Sequence, residues 1–243
     1  MTTKLARFAR RFLNFVRPRP QRIPIRLTEI LANQQASELV HQFNDLYYML
    51  GIADRMTWRG VKITKNPCDL LMVAELIHRI RPVVLVETGT AFGGSALFYA
   101  DVARNIGLPL KIITVDINPR IEYPNESLGI TSMRGYSTDR PIADAIQALV
   151  TGCAPVMVIL DSDHGCENVT RELELYAQLV SIDSYIIVED TNVNGHPSFP
   201  THGQGPWEAV EMFLARNSQF VIDRECERHL LTFNPRGYLR RVK

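Results

Sequence analysis

The sequence predicts an α/β fold: a doubly wound, mostly parallel sheet with a C-terminal antiparallel hairpin, preceded by an N-terminal helical segment. Three observations carry that prediction. From Val83 onward, short apolar runs rich in β-branched residues alternate with amphipathic stretches, which is the pattern of strands covered on both faces by helices. The first run leads through a glycine-rich turn into a helix pattern. Near the C-terminus, Phe220–Asp223 and His229–Phe233 lie five residues apart and read as a closing hairpin.

Ahead of the sheet, Thr28 to Leu50 shows helical periodicity through Leu31, Leu39, Phe43 and Leu46 and stops at Gly51. An irregular link carrying Met56 to Val61 and Asn66-Pro67 leads into a helix over Asp69 to Ile80. The strands follow as Val83–Glu87, Lys111–Asp116, Thr131–Gly135, Val156–Leu160 and Tyr185–Val188. Helices over Ser95–Asn105, Ile142–Val150, Glu167–Val180 and Trp207–Ala215 separate or follow them. This division gives a basic segment over residues 1–27 and one domain over 28–243, of which 28–80 is a helical extension.

The chain has 243 residues, 46% hydrophobic and 22% charged, with a formal net charge of +1, which suits a single soluble globular domain. The near-zero balance hides an asymmetry. Eight of the 27 basic residues precede Glu29, where no acid occurs, so the body is mildly acidic. Leu5 to Val16 can form a short basic amphipathic helix suited to peripheral membrane contact or a partner subunit; a solvated terminus is the plain alternative. No apolar run is long enough to span a bilayer and the start lacks a signal-peptide pattern, which reads as a cytoplasmic chain. The four cysteines have no metal-ligand spacing and read as reduced thiols. The basic residues lack a recognition module, so nucleic-acid binding is not expected.

At the end of the first strand, Glu87-Thr88-Gly89-Thr90 with Gly93-Gly94-Ser95 combines a carboxylate with a turn whose glycines let backbone approach a ligand. Asp116 ends the second strand, where an acid is placed to hold ribose hydroxyls. A P-loop is excluded because no Gly-Lys-Ser/Thr follows the turn. The spacing is not the dinucleotide fingerprint, and Glu87 stands where a pyrophosphate would be repelled. S-adenosylmethionine, cationic and without phosphate, fits better. The candidate cofactor residues are Glu87, Gly89, Thr90, Gly93, Ser95, Asp116, Ser137 and Asp161, with Gly135 and Tyr136 beside Ser137 after the third strand. An ordinary βα turn in an enzyme of another kind is the competing reading.

The fourth strand ends in Asp161-Ser162-Asp163-His164 and the fifth in Glu189-Asp190. Carboxylates gathered at one sheet edge repel unless a cation or proton separates them. Oxygen ligands from Asp161, Glu189 and Asp190 suit Mg²⁺ or another hard divalent cation, which can lower the pKa of an acceptor hydroxyl. Solvated loop acids are the alternative. His164 is the candidate base, its alternative a helix cap. Asp163 suits either orienting His164 or replacing Asp190. The candidate catalytic pair is thus Asp161 and His164. The long loop from Thr191 to Pro206 follows the acids and suits a lid whose His196 and His202 face substrate, whereas His41 and His78 sit on helices without such company.

Trp58-Arg59-Gly60-Val61, Asn66-Pro67 with Asp69-Leu70, Glu87-Thr88-Gly89-Thr90 with Gly93-Gly94-Ser95, Asp161-Ser162-Asp163-His164, Glu189-Asp190, and Thr232 to Leu239 together resemble the cephalosporin hydroxylase family, which includes rhamnosyl and other sugar O-methyltransferases. The resemblance runs from about Thr57 to the carboxyl end. It implies a Rossmann-like class I methyltransferase that uses S-adenosylmethionine with Mg²⁺ and forms homo-oligomers. It also implies that Glu87, Gly89 and Asp116 hold the cofactor, that Asp161, Glu189 and Asp190 ligate the metal, and that the acceptor is a hydroxylated small molecule such as a saccharide or glycosylated natural product. Two other functions compete: an iron-dependent hydroxylase, and a non-catalytic cofactor-binding assembly subunit.

Overall fold

A computed structural model of the chain describes residues 26–243. The predicted basic helix over Leu5 to Val16 lies outside the described residues. Two units are distinguished, one ending at Asn33 and the other running Gln34–Lys243. The described part of the first holds helix α1 (Leu27–Leu31). The second opens with α2 (Gln34–Met49), so the single helix expected over Thr28 to Leu50 is two, parted at Ala32 and Asn33. The link expected to be irregular forms a small antiparallel ribbon, β1 (Thr57–Trp58) with β2 (Val61–Lys62). Arg59 and Gly60 make its turn, both with positive φ, as a two-residue hairpin requires.

Helix α3 (Pro67–Ile80) starts where Asn66 accepts the Cys68 N–H at 2.8 Å and proline takes the first turn. The alternating series then runs β3 (Val84–Thr88), α4 (Gly94–Asn105), β4 (Lys111–Asp116), β5 (Ile130–Arg134), α5 (Arg140–Val150), β6 (Val156–Leu160), α6 (Cys166–Tyr176), β7 (Tyr185–Val188) and α7 (Pro206–Arg216). The chain closes with β8 (Phe220–Ile222) and β9 (Tyr238–Arg241). Strand order is β5-β4-β3-β6-β7-β9-β8. The first five strands are parallel, and β9 runs antiparallel to both β7 and β8.

The expected closing pair is present, but its second strand is not His229–Phe233. That segment's backbone is engaged elsewhere: the Phe233 N–H goes to Asp69 and the Phe233 carbonyl accepts from Asn192. Pro235 then has no N–H to give a ladder. Tyr238–Arg241 takes the place instead, its Tyr238 and Leu239 fully buried between β7 and β8.

Successive strand residues point to opposite faces, and each face has its own apolar layer. Leu85, Ile112, Met157 and Ile187 pack under α3 and α4. Val86, Ile113, Val158 and Val188 pack under α5, α6 and α7. Each such side chain contributes about 1.5–3 kcal/mol on burial, so the sheet is a rigid platform. Its strand order reverses at β3 and β6, and ligands of open parallel sheets bind outside the carboxyl ends at that point. No helix of the described residues is long and apolar enough to cross a membrane.

Candidate active site

The β3–β6 register pairs Thr88 with Leu160, which brings Gly89 and Asp161 together past the strand ends. Gly89 has φ +86°, and a Cβ there would stand 1.8 Å from the Asp161 carbonyl oxygen. Only glycine lets the two strand ends approach so closely. Beside them opens a cleft of about 800 Å³ whose lining includes Gly89, Asp116, Ser137 and Asp161, with Tyr136 and Asn168 at its walls. These four of the predicted cofactor residues share one cavity. The Asp116 carboxylate is set by two backbone N–H groups, Ala91 at 2.8 Å and Asn118 at 2.7 Å. On the far wall, Tyr176 donates to the Ser137 carbonyl at 2.6 Å and Ser162 donates to buried Glu172 at 2.7 Å.

Gly135, named beside Ser137, also lines the cleft, whereas Glu87, Thr90, Gly93 and Ser95 lie away from its lining. Glu87, Thr90 and Ser95 are buried, and Gly93 lies against Ile121 and Tyr123. Thr114 donates to Glu87 Oε2 at 3.0 Å and shares a 2.7 Å hydrogen bond with Thr90. The second oxygen, Oε1, is buried without a partner. Burial pushes the Glu87 carboxyl up to about 7.

The acids gather at the ends of β6 and β7, where Leu160 pairs with Val188 and the Glu189 N–H bonds the Leu160 carbonyl. Sequence reasoning missed the residue at their centre. Lys65, between β2 and α3, places its buried ammonium 2.6 Å from Asp161 Oδ2 and 2.6 Å from Glu189 Oε1. Burial alone would lower its pKa, but Asp161 and Glu189 raise it well above the usual lysine range. Asp161, against the cost of its own burial, is held below the usual carboxylate range by Lys65. Burial pushes Glu189 and Asp190 up.

His164 stands between the other two acids, Nε2 3.5 Å from Asp161 Oδ1 and Nδ1 3.3 Å from Asp190 Oδ2. Nε2 has no hydrogen-bond partner. Burial works to lower its pKa, yet Asp190 and Asp161 overbalance that and raise it to about 9. Asp161, His164 and Asp190 offer three ligand atoms within 4.8 Å of one another, whereas Glu189 turns to Lys65. The hard oxygen donors of Asp161 and Asp190 fit a divalent cation in this cluster, and the unpartnered Nε2 beside them is left free to take a proton.

Asp190 adopts φ +53°, a conformation uncommon outside glycine that needs support from its surroundings. Its N–H bonds Asn234 Oδ1 at 2.9 Å. Asn234 in turn follows Thr232 and Phe233, which bond Asp69 on α3 at 2.5 Å and 2.8 Å; Tyr238 gives Asp69 a third bond at 2.8 Å. Tyr48 on α2 stacks on Phe233, and its hydroxyl lies 3.5 Å from Asp190 and accepts from Asn192 at 3.0 Å. His196 of the loop after Asp190 stacks on Trp207 and pairs with Glu208, while His202 is exposed. Asp163 accepts the Gly165 N–H.

The family described as Rhamnosyl O-methyltransferase/CmcI matches residues 51–242. The chain is 35% identical over 209 residues to the rhamnosyl O-methyltransferase of Mycobacterium tuberculosis, covering 83% of this chain and 84% of that one. Among solved structures it is similar to the apo form of CmcI, with TM-score 0.62 and 23% identity over 78% of this chain and 77% of that one. It is also similar to the Mg–SAM form of CmcI, with TM-score 0.60 and 22% identity over 78% of each chain.

Proposed function

Because this chain belongs to the rhamnosyl O-methyltransferase/CmcI family, we propose that it moves the methyl group of S-adenosylmethionine to a hydroxyl of a saccharide or glycosylated small molecule, assisted by Mg²⁺. One observation carries the reading: Asp161 both lines the cleft and belongs to the acid cluster. A donor in the cleft and an acceptor at the cluster would therefore meet at one strand end, the close approach that methyl transfer by in-line displacement requires.

Gly89, Asp116 and Ser137 would hold the nucleoside. Glu87, whose Oε1 has no partner, would supply negative charge beneath the cationic end of the donor. Asp161 and Asp190, with Glu189 beside them, would hold the metal, which when bound lowers the pKa of an acceptor hydroxyl. His164 would take the hydroxyl proton at Nε2. A base must be neutral, and the raised pKa of His164 comes from Asp190 and Asp161, so neutralising those acids is what frees it for that role. The cluster supplies one histidine among the described residues, one fewer than a two-histidine iron site needs, which disfavours a hydroxylase.

Transfer of label from S-adenosylmethionine to a rhamnosylated acceptor, with Mg²⁺ and with chelator, tests the reading. Methylated sugar that forms with Mg²⁺ and fails to form with Asp161→Asn is the expected result. Turnover by that variant in chelator would remove the metal from the scheme.

A further inference from the structure

Lys65 is a charged group at the centre of the cluster that the reaction outlined above does not use. Its backbone is fixed on both sides, by the β1–β2 ribbon upstream and by Asn66, which caps α3, downstream. The side chain is 4% exposed, so its two 2.6 Å contacts with Asp161 and Glu189 are made out of reach of bulk water. A surface lysine shields carboxylates weakly and interchangeably with salt. A buried, tethered ammonium acts differently: it cannot be exchanged, and it occupies one oxygen of each of two acids that a divalent ion would otherwise have to itself.

We infer that Lys65 is a positioning residue for the metal ligands, an internal cation that holds Asp161 and Glu189 side by side without metal and weakens their grip on a divalent ion. The inference rests on the metal-assisted reading of the site. Two charges of like sign bound by the same carboxylates repel, so the ion shares its ligands with Lys65 and stays exchangeable. The ammonium also keeps the acids from repelling each other when no ion is present, which preserves their spacing for the next one.

Mn²⁺ binding, read from the free-ion electron paramagnetic resonance signal, tests this on the full chain. Lys65→Met is expected to raise Mn²⁺ affinity about tenfold or more, to lower the melting temperature of metal-free protein, and to give a larger Mn²⁺-induced rise in melting temperature than the unsubstituted chain. Affinity that is unchanged or reduced overturns the inference, as does a stability loss that Mn²⁺ fails to restore. Should Lys65→Met alone not fold, the comparison moves to Glu189→Gln against Lys65→Met/Glu189→Gln, where one buried acid no longer needs a partner. The double variant is then expected to bind Mn²⁺ more tightly than the single one, and equal or weaker binding overturns the inference. If the unsubstituted chain and every variant fail to bind Mn²⁺, the metal reading itself falls and this inference with it.

Discussion

On the β3 side of the site, backbone shape defines the wall, whereas on the β6–β7 side buried charge defines it. Gly89 and the turn after it work by lacking side chains where strand ends meet. Asp161, Glu189 and Asp190 work through charges that need Lys65, His164 and Asn234 to keep their places. The glycines of the first wall come from one turn of chain, although Gly89 packs against the distant Asp161 carbonyl. The second draws partners from residues that lie far apart in sequence, such as Lys65 and Asp161 or Tyr48 and Asp190. A substitution on one side should therefore act through sterics, and on the other through unpaired polar groups.

The sharpest test of the shape-built wall is Gly89→Ala. Its Cβ would stand 1.8 Å from a carbonyl oxygen at φ +86°, so strands β3 and β6 must part. We expect a loss of about 5 kcal/mol in urea unfolding. Gly60→Ala is the control, with φ +83° and open space around the new atom; there the strain alone costs about 1 kcal/mol. Equal losses would mean that backbone strain and not close approach sets the first wall.

On the charge-built wall, Asp69→Ala removes the acceptor of three buried donors, from Thr232, Phe233 and Tyr238. Each orphaned donor costs about 1–3 kcal/mol, and we expect about 4 kcal/mol in total. The Asp190 amide, held by Asn234 next in line, should also lose protection in hydrogen exchange. Stability loss without that change would detach Asp69 from the acids.

The same division explains what could be read from sequence. Glu87 to Ser95 was legible as a strand, a turn and a helix start because spacing along the chain encodes all three. The acids at Asp161, Glu189 and Asp190 were legible as strand ends for the same reason. Lys65 was not, although it sits in the Thr64-Lys65-Asn66-Pro67 stretch beside residues that carry the family resemblance, because no local period tells where a long side chain goes. The sequence pattern favours His229–Phe233 over Tyr238–Arg241 as the closing strand because its apolar residues look more strand-like, yet its backbone is tied to Asp69 and Asn192.

Titration separates the walls. The Glu87 carboxyl is raised from 4.5 to about 7 by burial, so its contribution is fully present below pH 4.5 and lost as pH rises through about 7. His164, raised from 6.5 to about 9 by Asp190 and Asp161 over the opposing effect of burial, contributes fully below pH 6.5 and loses that as pH passes about 9. Each window is worth at most about 3 kcal/mol in metal-free protein. Glu87→Gln should flatten the lower window and His164→Gln the upper one in unfolding measured across pH. A single substitution that flattens both would join the two walls electrostatically.

The smallest effect belongs to Tyr48→Phe, which asks how much of the charge-built wall rests on a hydroxyl. The ring stacks on Phe233 at 4.7 Å between centroids and meets Phe199 at 4.7 Å, and phenylalanine keeps both contacts. Lost are the bond from Asn192 Nδ2 at 3.0 Å and the 3.5 Å approach to Asp190. Asn192 is fully buried, so its amide keeps one donor unpaired, at a cost of about 1 kcal/mol. Urea unfolding of Tyr48→Phe beside Tyr48→Ala separates the parts, since only the alanine variant also loses the aromatic contacts. A loss near zero for phenylalanine would assign the positioning of Asp190 to Asn234 alone. A loss equal to that of alanine would place the hydroxyl, and not the ring, at the base of this wall.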